Sequence, residues 1–228
     1  EDGQHIYRDL WRWPQPTQLV PLGTDLELFR VRDASPRRAE LGLGDAFVVG
    51  YFGRLIPEKN VHLIIEALAR LPHRAKLLLD MFENFSPGSY AASLLTRATA
   101  LGIRDRVVTI DVHHGQVPEH MACCDAIVLP STETETFKEQ FGRVLPEAMA
   151  CGVPVVTTDA GSLRMVVGDA GLVIPRDSLD ALEAALRSLM DDRALCSRLS
   201  AKGLERVREF WSVDVQAERL DGLFRSLL

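Results

Sequence analysis

Residues 128–156 read VLPSTETETFKEQFGRVLPEAMACGVPVV, and the punctuation of this stretch decides the fold. An apolar strand ends at Pro130 and gives way to a loop of Ser, Thr and Glu. A helix follows, stops at Cys151-Gly152, and yields to a second apolar strand from Pro154. Pro146 sets the helix start, because a missing N–H is harmless only in the first turn, where amides have no intrahelical partner. The helix is therefore expected from Gly142 or Arg143. Glu139 falls in the loop before it and Glu147 lies one to two turns inside.

That arrangement suits an anionic ligand. The amides of Phe141, Gly142 and Arg143 would be the unpaired donors at a helix N-terminus, where dipole and hydrogen bonds together favour a phosphate. Gly142 allows the backbone to approach closely. Glu147 offers an acceptor for a pair of hydroxyls, such as those of a ribose. The same spacing equally suits an ordinary strand-loop-helix-strand unit with solvated glutamates.

Outward from this unit the pattern repeats. Apolar runs occupy residues 47–52, 76–79, 107–110, 126–129, 154–157 and 172–174, separated by helical stretches at 61–71, 90–101, 119–124 and 143–150. The runs are apolar throughout rather than alternating, as parallel strands covered on both faces require. The expected fold class is α/β, a doubly wound, Rossmann-like parallel sheet of about six strands with right-handed crossovers. Helices at 179–190, 193–209 and 213–227 end the chain.

Composition narrows the function classes. The 228 residues are 46% hydrophobic and 25% charged, ordinary for a globular chain with a sizeable core. A net charge of −6 argues against nucleic acid or an anionic membrane surface as partner. No apolar run approaches the ~18 residues of a membrane span, and no signal peptide is read. Cys123, Cys124, Cys151 and Cys196 lack metal-ligand spacing, which points to a reduced, cytoplasmic setting.

Two further loops sit where strands end, the edge at which open α/β sheets take their ligands. In YFGRLIPEKN, residues 51–60, Gly53 permits a tight turn, Arg54 can hold two phosphate oxygens and Lys59 adds a second cation. Surface charges with Glu58 pairing locally are the plain alternative. In DVHHGQ, residues 111–116, His113 or His114 could stack on a base, or both could be solvated. His113, His114 and His120 lack a third spaced ligand, so no metal site is expected.

The run EQFGRVLPEAMACGVPVV resembles the signature of the family-4 (group 1) retaining glycosyltransferases of GT-B fold, and GRL…EKN is similar to that family's diphosphate-binding motif. The resemblance extends from about residue 20 to residue 224. It implies that Glu147 binds the nucleotide ribose and that Glu139 faces the donor sugar. Phe141 and Gly142 then belong to the backbone around the sugar and diphosphate, Arg54 and Lys59 neutralise the diphosphate beside Gly53, and the loop of His113 meets the nucleobase. Glu139, Arg54 and Lys59 are the expected catalytic set. No cofactor or metal is implied, and the donor is a nucleotide-diphosphate sugar.

By the same resemblance PLGTDLELF, residues 21–29, looks like the connector into a second domain. Residues 1–30 are then expected to link a missing N-terminal domain, which binds most of the acceptor, to a donor-binding domain at 31–228. The helix at 213–227 resembles the one that crosses back to the first half, though a helix covering its own domain reads the same way. Such a fragment should bind donor and turn over slowly.

Two departures stand out: Arg164-Met165 replaces the family's usual Pro-Glu, and MFENFSPGSY, residues 81–90, replaces a Gly-x-Gly turn. They leave open a non-catalytic binding or interaction module, while a GT-B-like epimerase is the other alternative.

Overall fold

A computed structural model describes residue 12, residues 18–81, residue 86 and residues 88–226. The tryptophan-rich opening around Trp11 and Trp13, and Phe82 and Phe85 of the 81–90 segment, lie outside the described residues.

Six strands form one parallel sheet: β1 (Phe47–Tyr51), β2 (Ala75–Asp80), β3 (Val107–Ile110), β4 (Ala126–Leu129), β5 (Val155–Thr158) and β6 (Leu172–Ile174). Their order across the sheet is β3-β2-β1-β4-β5-β6. Every residue of β1, β4 and β5 is buried, which explains the unbroken apolar run of β4; the two threonines that end β5 are buried because their hydroxyls donate to the Leu129 and Ser131 carbonyls. Register joins the centre directly, with Val49 opposite Leu77 on one side and Ala126 on the other.

Helices cover both faces. Helix Val61–Arg70 buries Val61, Ile64, Ile65 and Leu68, one stripe at helical spacing, and packs on helix Leu179–Asp191. Helix Val144–Ala150 buries Leu145, Pro146, Ala148, Met149 and Ala150, so only Val144 and Glu147 of its residues stay within reach of solvent. Pro146 occupies its first turn, as its chemistry demands.

Some boundaries differ from expectation. The helix expected at 119–124 runs Val117–Met121, because Pro118 is accommodated within its first turn rather than preceding it. Two short helices were not anticipated. Ser35–Glu40 buries none of its residues, and Leu163–Val167 forms inside the DAGSLRMV segment read as a loop.

The last described helix, Val213–Arg225, buries none of its residues, so it does not act as a cover for this sheet. Its N-terminus is tied to the start of the chain. Thr24 donates to the Trp211 carbonyl (2.7 Å), the Val213 amide donates to Thr24 (3.1 Å), and the Gly23 amide donates to Gln216 Oε1 (2.9 Å). No described helix is long and apolar enough to cross a membrane.

Candidate functional site

The chain winds one way from β1 to β2 and β3, then returns to the centre and winds the other way from β4. β1 and β4 are therefore neighbours whose following loops diverge, which opens a crevice at their carboxyl ends. A cleft of about 500 Å³ occupies that place. It brings together Gly53, Arg54 and Lys59 from the loop after β1 with Glu139, Gly142, Arg143 and Glu147 from the segment after β4.

Two expected residues lie elsewhere. His113 is exposed and sits at the head of the short turn His114–Gln116, its amide donating to Gln116 Oε1 (3.3 Å); its neighbour His114 lines the cleft instead. The Phe141 ring packs edge-on to Trp211, with centroids 5.4 Å apart. Asp80, buried at the end of β2, lines the cleft and was not foreseen. Its only mark in the sequence is a carboxylate closing an otherwise apolar strand.

The two cations are held differently. Tyr51 donates its hydroxyl to the Arg54 carbonyl (2.8 Å), which pins the backbone of that loop, while the Arg54 side chain is exposed and makes no ion pair with any described residue. Lys59 is buried in a 3₁₀ turn and ion-paired with Glu139, and its ammonium lies 5.5 Å from the centroid of the Phe137 ring. Asn60, in the left-handed region at φ 54°, donates to Asp177 (2.6 Å), and Asp177 accepts from Thr132 (2.8 Å). The loops after β1, β4 and β6 are thereby tied together.

Glu139 is gripped from several sides. Besides Lys59, its carboxylate accepts from Ser131 Oγ (2.9 Å), whose carbonyl in turn accepts from the buried Thr158 hydroxyl (2.5 Å). Its backbone carbonyl accepts from the Ser162 amide (3.1 Å), and Glu133 accepts from the Gly161 amide. Gly161 has φ +52°, and a Cβ there would run into the carbonyl of Glu139. Gly161→Ala should therefore cost about 2 kcal/mol or more, against about 1 kcal/mol for Gly102→Ala, where φ is +68° but nothing lies within 4 Å. Thermal melts of the two variants check this: a Gly161→Ala melt no lower than that of Gly102→Ala would mean that the loop yields without cost.

Gly142 shows the same tight fit at φ +69°, where a Cβ would come within 2.5 Å of Leu163 Cδ2 and 2.9 Å of Leu129 Cδ2. The amides of Phe141, Gly142 and Arg143 donate to no described acceptor, and Gly142 and Arg143 face the cleft. Burial pushes the Glu147 carboxyl up to about 7, with Arg143 at 3.7 Å pulling the other way. Among the described residues no cluster of His, Cys, Asp or Glu is placed to hold a metal ion.

Residues 34–206 match the family model for glycosyl transferases group 1. The chain is 34% identical over 227 residues to D-inositol 3-phosphate glycosyltransferase 1 of Catenulispora acidiphila, covering 94% of this chain and 53% of that protein. Sucrose-phosphate synthase from Thermosynechococcus elongatus superposes with a TM-score of 0.83 at 28% identity, over 100% of this chain and 57% of that one. Anabaena Alr3699/HepE, solved in complex with UDP-glucose, gives 0.83 at 28% identity, over 92% and 57%. The chain thus spans about half the length of the relatives it matches.

Proposed function

The chain belongs to the group 1 glycosyl transferases, and we propose that it is the donor-binding half of a retaining enzyme that moves a sugar from a nucleotide diphosphate to an acceptor. One observation carries this reading. Two motifs about eighty positions apart deliver Arg54, Lys59, Glu139, Gly142 and Glu147 to one cleft at the sheet's switch point.

In this reading the diphosphate lies against Arg54, Lys59 and the amides of Gly142 and Arg143. Glu147 takes the ribose hydroxyls, and His114, the loop histidine that lines the cleft, stands on the base side. As the anomeric carbon–oxygen bond breaks, charge builds on the diphosphate, so fixed cations and amides stabilise the transition state more than the ground state. The anomeric carbon bonds to the acceptor oxygen, and the acceptor proton leaves with the diphosphate. Charge is met by side chains and amides, so no metal is assigned a part. Retention of anomeric configuration follows the family. A connecting role for residues 1–30, acceptor binding chiefly by an N-terminal half, and a cytoplasmic setting belong to the same proposal. The decayed-module alternative is disfavoured by the intact cleft.

Thermal shift with nucleoside diphosphates and sugar nucleotides, UDP and UDP-glucose first because HepE was solved with the latter, tests the reading. A ligand at 100 times its Kd should stabilise by about 2.7 kcal/mol. No shift with any nucleoside diphosphate would sink it. A second expectation concerns the full-length enzyme. Glu139→Gln should lower turnover while nucleoside-diphosphate affinity stays nearly intact, because loss of a transition-state contact appears in kcat. Loss of binding to the bare diphosphate would reassign Glu139.

A further inference from the structure

Lys59 is braced through the residues on either side of it. The Glu58 carbonyl accepts from the Thr132 amide (2.9 Å), in the loop after β4. The Asn60 side chain donates to Asp177 Oδ1 (2.6 Å), and Asp177 Oδ2 accepts from Thr132 Oγ1 (2.8 Å). Thr132 and Asp177 thus hold both flanks of Lys59, and Asp177 itself does not line the donor cleft.

The backbone marks the same pair. Among the described residues, three non-glycine residues lie in the left-handed region: Arg12, Asn60 (φ 54°) and Asp177 (φ 55°). Two of them bond to each other. Such backbone is strained for a residue with a side chain and persists where the surroundings fix it. Asn60 also forgoes the common task of an asparagine before a helix. It precedes helix Val61–Arg70, yet its side chain caps nothing there, and the His62 amide donates to the Tyr90 hydroxyl instead (3.2 Å). The side-chain amide of Asn60 is committed to Asp177.

We infer that Asp177 is a positioning residue for the diphosphate: acting through Asn60, it holds Lys59 where its ammonium meets the phosphate oxygens. The inference rests on the donor reading above. A lysine is a point charge on a flexible stem, so its backbone must aim it. Glu139 anchors the ammonium in the free protein, and an incoming diphosphate competes for it. The anchor at Asn60 is untouched by that competition. A purely electrostatic role predicts the opposite sign. Asp177 is exposed, and its negative charge repels a diphosphate, so neutralising it would tighten binding.

Titration calorimetry on the chain with UDP, GDP and ADP, and with the three bare nucleosides, separates these roles in Asp177→Gly and Asp177→Asn. Glycine takes the left-handed backbone freely, so Asp177→Gly loses the carboxylate without adding strain. Its nucleoside-diphosphate affinity should fall about five-fold or more, while nucleoside affinity stays within about two-fold. Asparagine keeps an acceptor for Asn60 and tolerates the same backbone. Asp177→Asn should therefore stay within about two-fold of the natural protein for both ligands. Equal losses for diphosphate and nucleoside in Asp177→Gly would make Asp177 a general brace and overturn the inference. So would unchanged or tighter diphosphate binding in Asp177→Gly, or a loss as large in Asp177→Asn. If the natural chain bound none of the diphosphates, the donor reading would fall and take this inference with it.

Discussion

Glu147→Gln should melt higher than the natural protein at pH 8 and no higher at pH 5. The carboxyl titrates near 4.5 in an unfolded chain and near 7 in the fold, because burial disfavours its charge. Between those two values the folded protein keeps a proton that the unfolded chain has released, so stability falls as pH rises through that window and stays low above it. The whole window is worth at most about 3 kcal/mol. Glutamine keeps the shape and carries no charge, so it removes the penalty at pH 8. At pH 5 the folded glutamate is already neutral. Melts at the two pH values decide the matter, and an identical difference between the two proteins at both would refute the buried-charge argument.

The same substitution should weaken donor binding. A carboxylate accepts from both hydroxyls of a diol, whereas an amide presents one acceptor and two donors. Nucleoside affinity of the natural protein should also rise between pH 6 and 8 as Glu147 ionises, and Glu147→Gln should be flat across that range. A residue that costs stability when charged yet sits in a ligand cleft is the pattern expected of a functional group rather than a packing one. Calorimetry showing a rise with pH in both proteins would move the titrating group elsewhere.

Why some of this was legible in the residues and some was not comes down to range. The strands were legible from their apolar runs: β4, buried at every position, and the partly buried edge strands β3 and β6 fall where those runs do. Pro146 located its helix by a covalent constraint that no tertiary contact can override. The helix expected at 119–124 starts earlier, at Val117, because a proline is accommodated inside a first turn. His113 and His114 are indistinguishable in sequence, and the direction of the turn between them decides which one meets the cleft.

The pairing of Lys59 with Glu139 was out of reach, since it depends on β1 and β4 being neighbours across the switch point. Family resemblance assigned the two residues separate duties and said nothing of their bond. The desolvation of the Glu147 carboxyl was equally hidden: its helix is short, and only packing shows how far that side chain is enclosed.

That pairing separates the two cations in the last and largest expected effect. Arg54→Ala removes an exposed side chain that forms no ion pair with a described residue, so it should leave the melting temperature of the free protein nearly unchanged. It should weaken nucleoside-diphosphate binding by about 1.5–3 kcal/mol, roughly 10- to 150-fold, and bare nucleoside hardly at all. Lys59→Ala should do the same to binding and also lower the melting temperature. It strands the Glu139 carboxylate, whose side chain is 11% exposed, and breaking a buried pair from one side costs about 3–5 kcal/mol. Adding Glu139→Gln to Lys59→Ala should then restore much of the melting temperature without restoring diphosphate affinity, because the stranded charge is gone and the phosphate's cation is still missing. Ser131 Oγ remains as a partner for the glutamine in that double variant. If Lys59→Ala weakened diphosphate and bare nucleoside equally, Lys59 would be a structural partner of Glu139 and nothing more. A double variant that melted as low as Lys59→Ala alone would instead place its stability role outside this pair.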